Sequence, residues 1–214
     1  NWVLADRAGN IGYQQSGLLP NRRHSGVCPA AAWDTEKTWN GLVSADRLHW
    51  ELNPPDGIIV TANNDINPPG GPMAVNLPMG SYRHDRLREL LEASGSHTPD
   101  SMKAIQIDLA SPQAKLMMDI WRPLLPDSLA GRLLARWDCR YDVENRGATL
   151  FEEVYHEILA RICGDRIFGR ETWNTLVEET AFLADYYHLF DRILLEDEFF
   201  WWGESGREAV LREL

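Results

Sequence analysis

A chain of 214 residues with 44% hydrophobic and 25% charged residues has the composition of a folded globular protein, which excludes wholesale disorder. Its formal net charge of −11, with no lysine or arginine stripe to offset it, excludes nucleic acid and anionic lipid surfaces as partners. The longest apolar runs fall far short of the roughly 18–20 residues that a membrane helix needs, so no membrane is expected.

The chain opens on Asn1-Trp2-Val3-Leu4-Ala5-Asp6, which reads as the middle of a strand. With no initiator Met and no signal segment, an internal piece of a longer protein is expected. Trp2–Ala5 and Ile11–Gln15 read as two strands joined by the turn Arg7-Ala8-Gly9-Asn10. Gly57–Thr61 is a third strand candidate, preceded by the turn Asn53-Pro54-Pro55-Asp56. Its unbroken apolar run suits a strand buried on both faces. Residues 64–80 are a loop on their proline and glycine content.

From Tyr82 onward the period becomes helical. Thr98-Pro99 and Ser111-Pro112 each set a capping side chain before a proline at the first helical position. After the second, Met117, Ile120, Trp121 and Leu124 form one apolar stripe. Thr149-Leu150-Phe151-Glu152 has the form of a capping box, after which Leu150, Val154, Ile158 and Ile162 line one face. That helix is expected to stop near Gly164 or Gly169. Arg170 to about Trp202 reads as one long or broken helix, and Gly206–Leu214 as the start of another. The pattern predicts an α+β chain, mostly α: a small β portion over residues 1–80, then five to seven helices over 81–214.

Three groups bear on chemistry. Glu153-x-x-His156 and Asp185-x-x-His188 place a carboxylate and an imidazole on one face of each of two helices, as in carboxylate-bridged metal bundles. Such sites need a carboxylate from two further helices, so the plainer reading is ordinary helix-surface histidines beside solvated acids. No Gly-x-Ser-x-Gly elbow occurs, and Ser16, Ser25, Cys28 and Cys163 read as turn or core residues. Cys28, Cys139 and Cys163 are far apart, so a structural zinc site is not expected, and their redox state is not readable from spacing. The third group is Asn63-Asn64 at the end of the strand candidate. Side-chain amides fixed on a rigid edge are the preorganised donors that an oxyanion hole requires. The plainer alternative is that both asparagines cap the strand and start a turn.

Five blocks of residues, in order, carry a resemblance. The first is Asn1-Trp2, Ala5-Asp6, Gly9–Tyr13, Gly17, Pro20 and Arg22, and the second is Trp39 with Gly41. The third is Asn53-Pro54, Gly57 and Thr61-Ala62-Asn63-Asn64. The fourth is Tyr82-Arg83 with Arg86-Leu87 and Leu90-Leu91, and the fifth is Trp137-Asp138 with Ala148–Phe151. Together they resemble the large subunit of the penicillin amidase family, densely up to about residue 92 and more thinly beyond. The family form of the fifth block has a glycine after the Trp-Asp pair, where this chain has Cys139.

The resemblance implies an N-terminal-nucleophile hydrolase of αββα fold, made as a precursor and cleaved to expose a catalytic serine. That serine's own α-amine acts as base, and an acyl-enzyme forms and is released by water. Asn63 would then be the oxyanion amide and Arg83 an orienting residue near the acyl site. Residues 1–80 would be part of the catalytic domain, and 81–214 a helical lobe flanking the cleft. Asn1 has no nucleophilic side chain, so the 214 residues alone are expected to be inactive. The expected partners are the remainder of the acylase, namely the upstream catalytic segment and the small subunit, and a small acyl amide as substrate. Calcium is implied for the complete family protein, with Pro29 supplying a backbone carbonyl; the chain itself would require no cofactor. A periplasmic or secreted protein is implied too. The alternative from another class is a helical interaction module that shares descent without activity, and less favoured still is the metal-binding bundle.

Overall fold

A computed structural model describes residues 1–24, 29–73 and 78–213, so Cys28 lies outside the described residues. It divides into two compact units, Asn1–His97 and Thr98–Leu214. The expected switch at Tyr82 therefore falls inside the first unit. Helix α1 (Tyr82–Glu92) stays with the strands because its arginines reach back to the preceding loop: Arg88 pairs with Asp56 and Arg83 with Ala62.

In the first unit, β1 (Trp2–Ala5), β2 (Ile11–Gln14) and β3 (Trp50–Leu52) form an antiparallel sheet in that order. The first two strands and their turn are as the sequence predicts. The third is not: β3 lies at Trp50–Leu52, and residues 57–61 form no ladder among the described residues. The register aligns Trp2, Gln14 and Trp50 in one row and Leu4, Gly12 and Leu52 in another. Side chains alternate along a strand, so both rows lie on one face. Its four large apolar residues are each about 60% exposed. On the opposite face Tyr13 is buried and donates its hydroxyl to Asn1 Oδ1 at 2.8 Å.

Asparagines knit the hairpin to the segment beyond β3. Asn53, at φ 48°, accepts from Ile11 N at 2.9 Å and donates from Nδ2 to Asn10 Oδ1 at 2.9 Å. Asn10 in turn donates to Asp6 Oδ2 at 2.8 Å, and this side-chain bond is the main reason the Asp6 carboxyl lies below its ordinary pKa. The first and third resemblance blocks thus meet in one polar network that fixes the hairpin to the chain before Pro54.

The second unit is helical: α2 (Pro99–Gln106), α3 (Pro112–Trp121), α4 (Leu129–Ala135), α5 (Arg146–Leu159), α6 (Arg170–Glu178), α7 (Phe182–Leu195) and α8 (Gly206–Glu213). With α1 the described residues hold eight α-helices, one more than expected, because the 170–202 stretch breaks at 179–181. Thr98 and Ser111 cap as predicted, with Thr98 and Ser101 forming a reciprocal box. The expected cap at Thr149 is wrong. Helix α5 starts a turn earlier, capped by the Asn145 side chain accepting from Gly147 N at 3.0 Å. The helix then widens into a π-helical segment, Ala160–Phe168, and ends at Gly169, φ 86°.

The core of this unit is aromatic. Trp121 stacks on Phe151 at 5.2 Å, and Trp137 packs against the same ring at 5.1 Å. A Cβ on Gly147 would lie 2.5 Å from Trp137 Cγ, so the tryptophan needs glycine there to approach α5. That contact sets the Trp-Asp pair of the fifth resemblance block against the residue just before its Ala148–Phe151 segment. Asp191, fully buried, ties three helices: Gln113 Nε2 of α3 donates to both its oxygens at 3.1 and 2.9 Å, and Tyr155 of α5 donates at 2.7 Å. An apolar cavity of about 430 Å³ remains between Trp121, Leu125, Leu134, Val154 and Leu211. Among the described residues no helix is long and apolar enough to cross a membrane.

Candidate functional site

The site is built on two segments of the first unit. Gly57, φ 69°, closes the Pro54–Gly57 turn through Gly57 N to Pro54 O at 2.9 Å. The chain then runs without regular structure to Ala62, which is buried, and bends at Asn63. Asn63 sits at φ 66°, a left-handed conformation that asparagine tolerates better than most residues. The left-handed turn, and not an alternation of strand faces, decides where Asn63 and Asn64 point. Asn64 folds back, its Oδ1 accepting from Ala62 N at 3.2 Å. Asn63 is exposed.

Helix α1 brings the second half. Arg83 Nη2 donates to Ala62 O at 2.9 Å and to Asn63 Oδ1 at 2.7 Å, and Met79 Sδ lies 3.5 Å from the same nitrogen. Met79 N donates to Asn63 O at 2.8 Å. A guanidinium carries only donors, so the Asn63 amide must turn its oxygen to Arg83. Its Nδ2 then faces the other way, and among the described residues no hydrogen bond engages it. The arrangement leaves an N–H donor fixed by a charge-assisted bond at its far end. At the start of the helix Ser81 Oγ donates to Asp85 Oδ2 at 2.6 Å, and this bond, with His84 beside it, lowers the Asp85 pKa. Arg88, bonded to Asp56, lowers the pKa of that carboxyl in the same way. A polar cavity of about 270 Å³ is lined by Asn64 and His84 and not by Asn63 or Arg83, so the Asn63 amide does not belong to it.

The structure brings Asn63 and Arg83 together. It also adds Met79, which composition and motif gave no reason to single out. The other candidates stay apart. Pro29 is exposed. Among the described residues no group of three His, Cys, Asp or Glu side chains is placed to hold a metal. One carbonyl falls short of the roughly 6–8 oxygens calcium takes, so these residues do not by themselves fit a calcium site. Among the described residues the paired carboxylate–histidine motifs form no metal cluster: His156 lies 3.7 Å from Glu152 on the helix surface, and His188 Nδ1 is buried with no hydrogen-bond partner there. Cys139 and Cys163 are free buried thiols, and burial pushes the Cys163 thiol up to about 12, so neither is a poised nucleophile.

Known proteins are similar to this chain along most of its length. The penicillin amidase family model matches residues 1–213. Penicillin acylase 2 proenzyme of Pseudomonas sp. (strain SE83) is 30% identical over 169 residues, which is 76% of this chain and 22% of that protein. The acyl-homoserine lactone acylase QuiP of Pseudomonas syringae pv. tomato is 28% identical over 228 residues, covering 95% of this chain and 27% of that protein. The chain thus spans about a quarter of the length of these curated relatives. A solved thermostable penicillin G acylase from Alcaligenes faecalis shares the fold at a TM-score of 0.58 and 23% identity, over 77% of this chain and 33% of its own. The chain belongs to the penicillin amidase family.

Proposed function

We propose that the protein is an acylase that hydrolyses a non-peptide amide bond in a small acyl amide, and that Asn63 Nδ2 donates to the oxyanion formed as the carbonyl is attacked. The observation that carries this reading is the 2.7 Å bond from Arg83 Nη2 to Asn63 Oδ1. It holds the amide by its acceptor end and presents its donor end, and it polarises the amide so that Nδ2 donates more strongly. Arg83 acts as the orienting residue. In this reading the attacking group is the freed N-terminal serine of the family, contributed by another part of the protein. Its hydroxyl adds to the carbonyl carbon, the amine leaves, and water releases the acyl group. The 214 residues supply the oxyanion amide Asn63 and its support Arg83, both in the unit Asn1–His97 as part of the catalytic domain, and by themselves turn over no acyl anilide. An extracytoplasmic location, periplasmic or secreted, accords with the family.

The test is to substitute Asn63→Ala and Asn64→Ala in the complete, processed protein and to compare kcat on a panel of acyl 4-nitroanilides. Loss of one oxyanion donor lowers kcat by about 10²–10³-fold. Asn64, whose amide only closes its own turn, should keep kcat and lose about 1 kcal/mol of stability. Near-normal kcat in Asn63→Ala, with loss in Asn64→Ala, would reverse the assignment.

A further inference from the structure

We infer that Met79 is a positioning residue for the Asn63 amide, and that the site requires a poor hydrogen-bond acceptor there. The inference rests on the oxyanion role of Asn63 for its catalytic consequence, though not for its geometry. Arg83 Nη2 carries two hydrogens and, among the described residues, has three acceptors beside it: Ala62 O at 2.9 Å, Asn63 Oδ1 at 2.7 Å and Met79 Sδ at 3.5 Å. The two oxygens take both hydrogens. A thioether is a weak acceptor, so it fills space against the guanidinium without competing.

Met79 is also fixed in place, because its own N–H binds Asn63 O at 2.8 Å and it stands four residues ahead of Arg83. Side chain and backbone thus hold the two ends of one clamp. A strong acceptor at the Sδ position would give three good acceptors for two hydrogens. Ala62 O is backbone of a buried residue, whereas the Asn63 side chain is exposed and can turn once its bond to Arg83 is lost. Asn63 is the one that yields, and its Nδ2 loses its direction.

Two changes create such an acceptor. Met79→Gln places an amide oxygen near the guanidinium. Hydrogen peroxide does so chemically: it transfers one oxygen to Sδ, the O–O bond breaks, the sulfur is oxidised by two electrons to the sulfoxide and water leaves. Met79→Leu keeps the volume, offers no acceptor and cannot be oxidised.

The geometric arm uses the 214-residue chain labelled with ¹⁵N, with the Asn63 side-chain amide assigned by its loss in Asn63→Asp. Met79→Leu should leave this resonance where it is in the unaltered chain, and Met79→Gln or peroxide treatment should shift it. Peroxide should no longer shift it in Met79→Leu, which retains exposed Met73. A resonance unmoved by Met79→Gln, moved equally by Met79→Leu, or still moved by peroxide in Met79→Leu would each overturn the inference. The catalytic arm uses the complete processed protein and acyl 4-nitroanilides. Met79→Gln should lower kcat by at least about tenfold, part of the 10²–10³-fold worth of a full donor, with KM within about threefold. If the resonance moves and kcat does not, positioning by Met79 stands and the oxyanion role of Asn63 falls.

Discussion

The backbone at Cys139 offers a direct test of how this fold is held. Cys139 sits at φ 59°, in the left-handed region, yet is only 6% exposed. Its carbonyl accepts from Ser111 N at 2.9 Å, and its neighbour Tyr141 N bonds Leu109 O at 3.0 Å. The turn is therefore locked across the start of α3 and cannot relax to an ordinary φ. A side chain in that conformation costs about 1–2 kcal/mol that glycine does not incur. Glycine elsewhere is about 0.5–1 kcal/mol worse than alanine through its freedom in the unfolded chain. At the midpoints of the two ranges the difference leaves Cys139→Gly about 0.75 kcal/mol more stable than Cys139→Ala, the reverse of the usual order. Both variants lose the sulfur and its 3.6 Å contact with Arg122 Nη2, so that loss cancels between them. The assay is urea unfolding followed by circular dichroism at the helical signal, with the midpoints compared at constant slope. If Cys139→Ala is as stable as Cys139→Gly or more so, the turn is not strained and the reasoning fails.

Asp191→Ala should strand the Gln113 and Tyr155 donors in the core and cost about 2–4 kcal/mol, read as a lower urea midpoint. Burial lowers the His188 pKa, so the folded chain resists a proton that the unfolded chain takes up near about pH 6.5; stability is full above that pH and falls below it. His188→Gln should therefore flatten the loss of stability between pH 7 and pH 5, and an unchanged slope would remove His188 as its cause. Cys163, 1% exposed and with its pKa raised to about 12, should resist iodoacetamide at pH 8 until the chain is unfolded, as mass spectrometry of the labelled peptides would show. Hydrogen exchange should be faster in Trp2–Ala5, an edge strand, than in the helices between Pro112 and Leu195.

The fold is legible in the sequence where local chemistry decides. The hairpin at Arg7–Asn10, the caps at Thr98 and Ser111 and the stripe through Met117 and Trp121 are all fixed by residues within a few positions of each other, and all are present. Propensity fails where distant groups decide. Ile58, Ile59 and Val60 favour a strand, but their neighbours are held by side chains of Arg83, Arg88 and Asn64, leaving no ladder. Trp50–Leu52, short and interrupted by Glu51, forms a strand because β2 offers it an edge. Thr149 has the form of a capping box, yet Asn145 caps earlier because Trp137 draws Gly147 into the helix. The pairing of Asn63 with Arg83 is legible only through family resemblance, since nothing in a single chain links residues 20 positions apart. Met79 carries no such signal, because its part in the clamp lies in a backbone N–H and in the poor basicity of its sulfur.

The π-helical stretch at Ala160–Phe168 changes how this region should be compared with its relatives. A wide turn of this kind is what an α-helix becomes when one residue is added and both flanks keep their packing. Here the flanks are held: Phe151 and Tyr155 are locked into the aromatic core upstream, and Gly164 lies against Trp173 downstream, where a Cβ would approach Cγ to 3.2 Å. Deleting one residue would restore α-helical bonding and leave both flanks in place, because the wide turn already absorbs the added residue. A related chain one residue shorter here is thus expected to show an unbroken α-helix with the same Gly–Trp contact, and its alignment gap belongs inside 160–168, wherever the letters happen to match best.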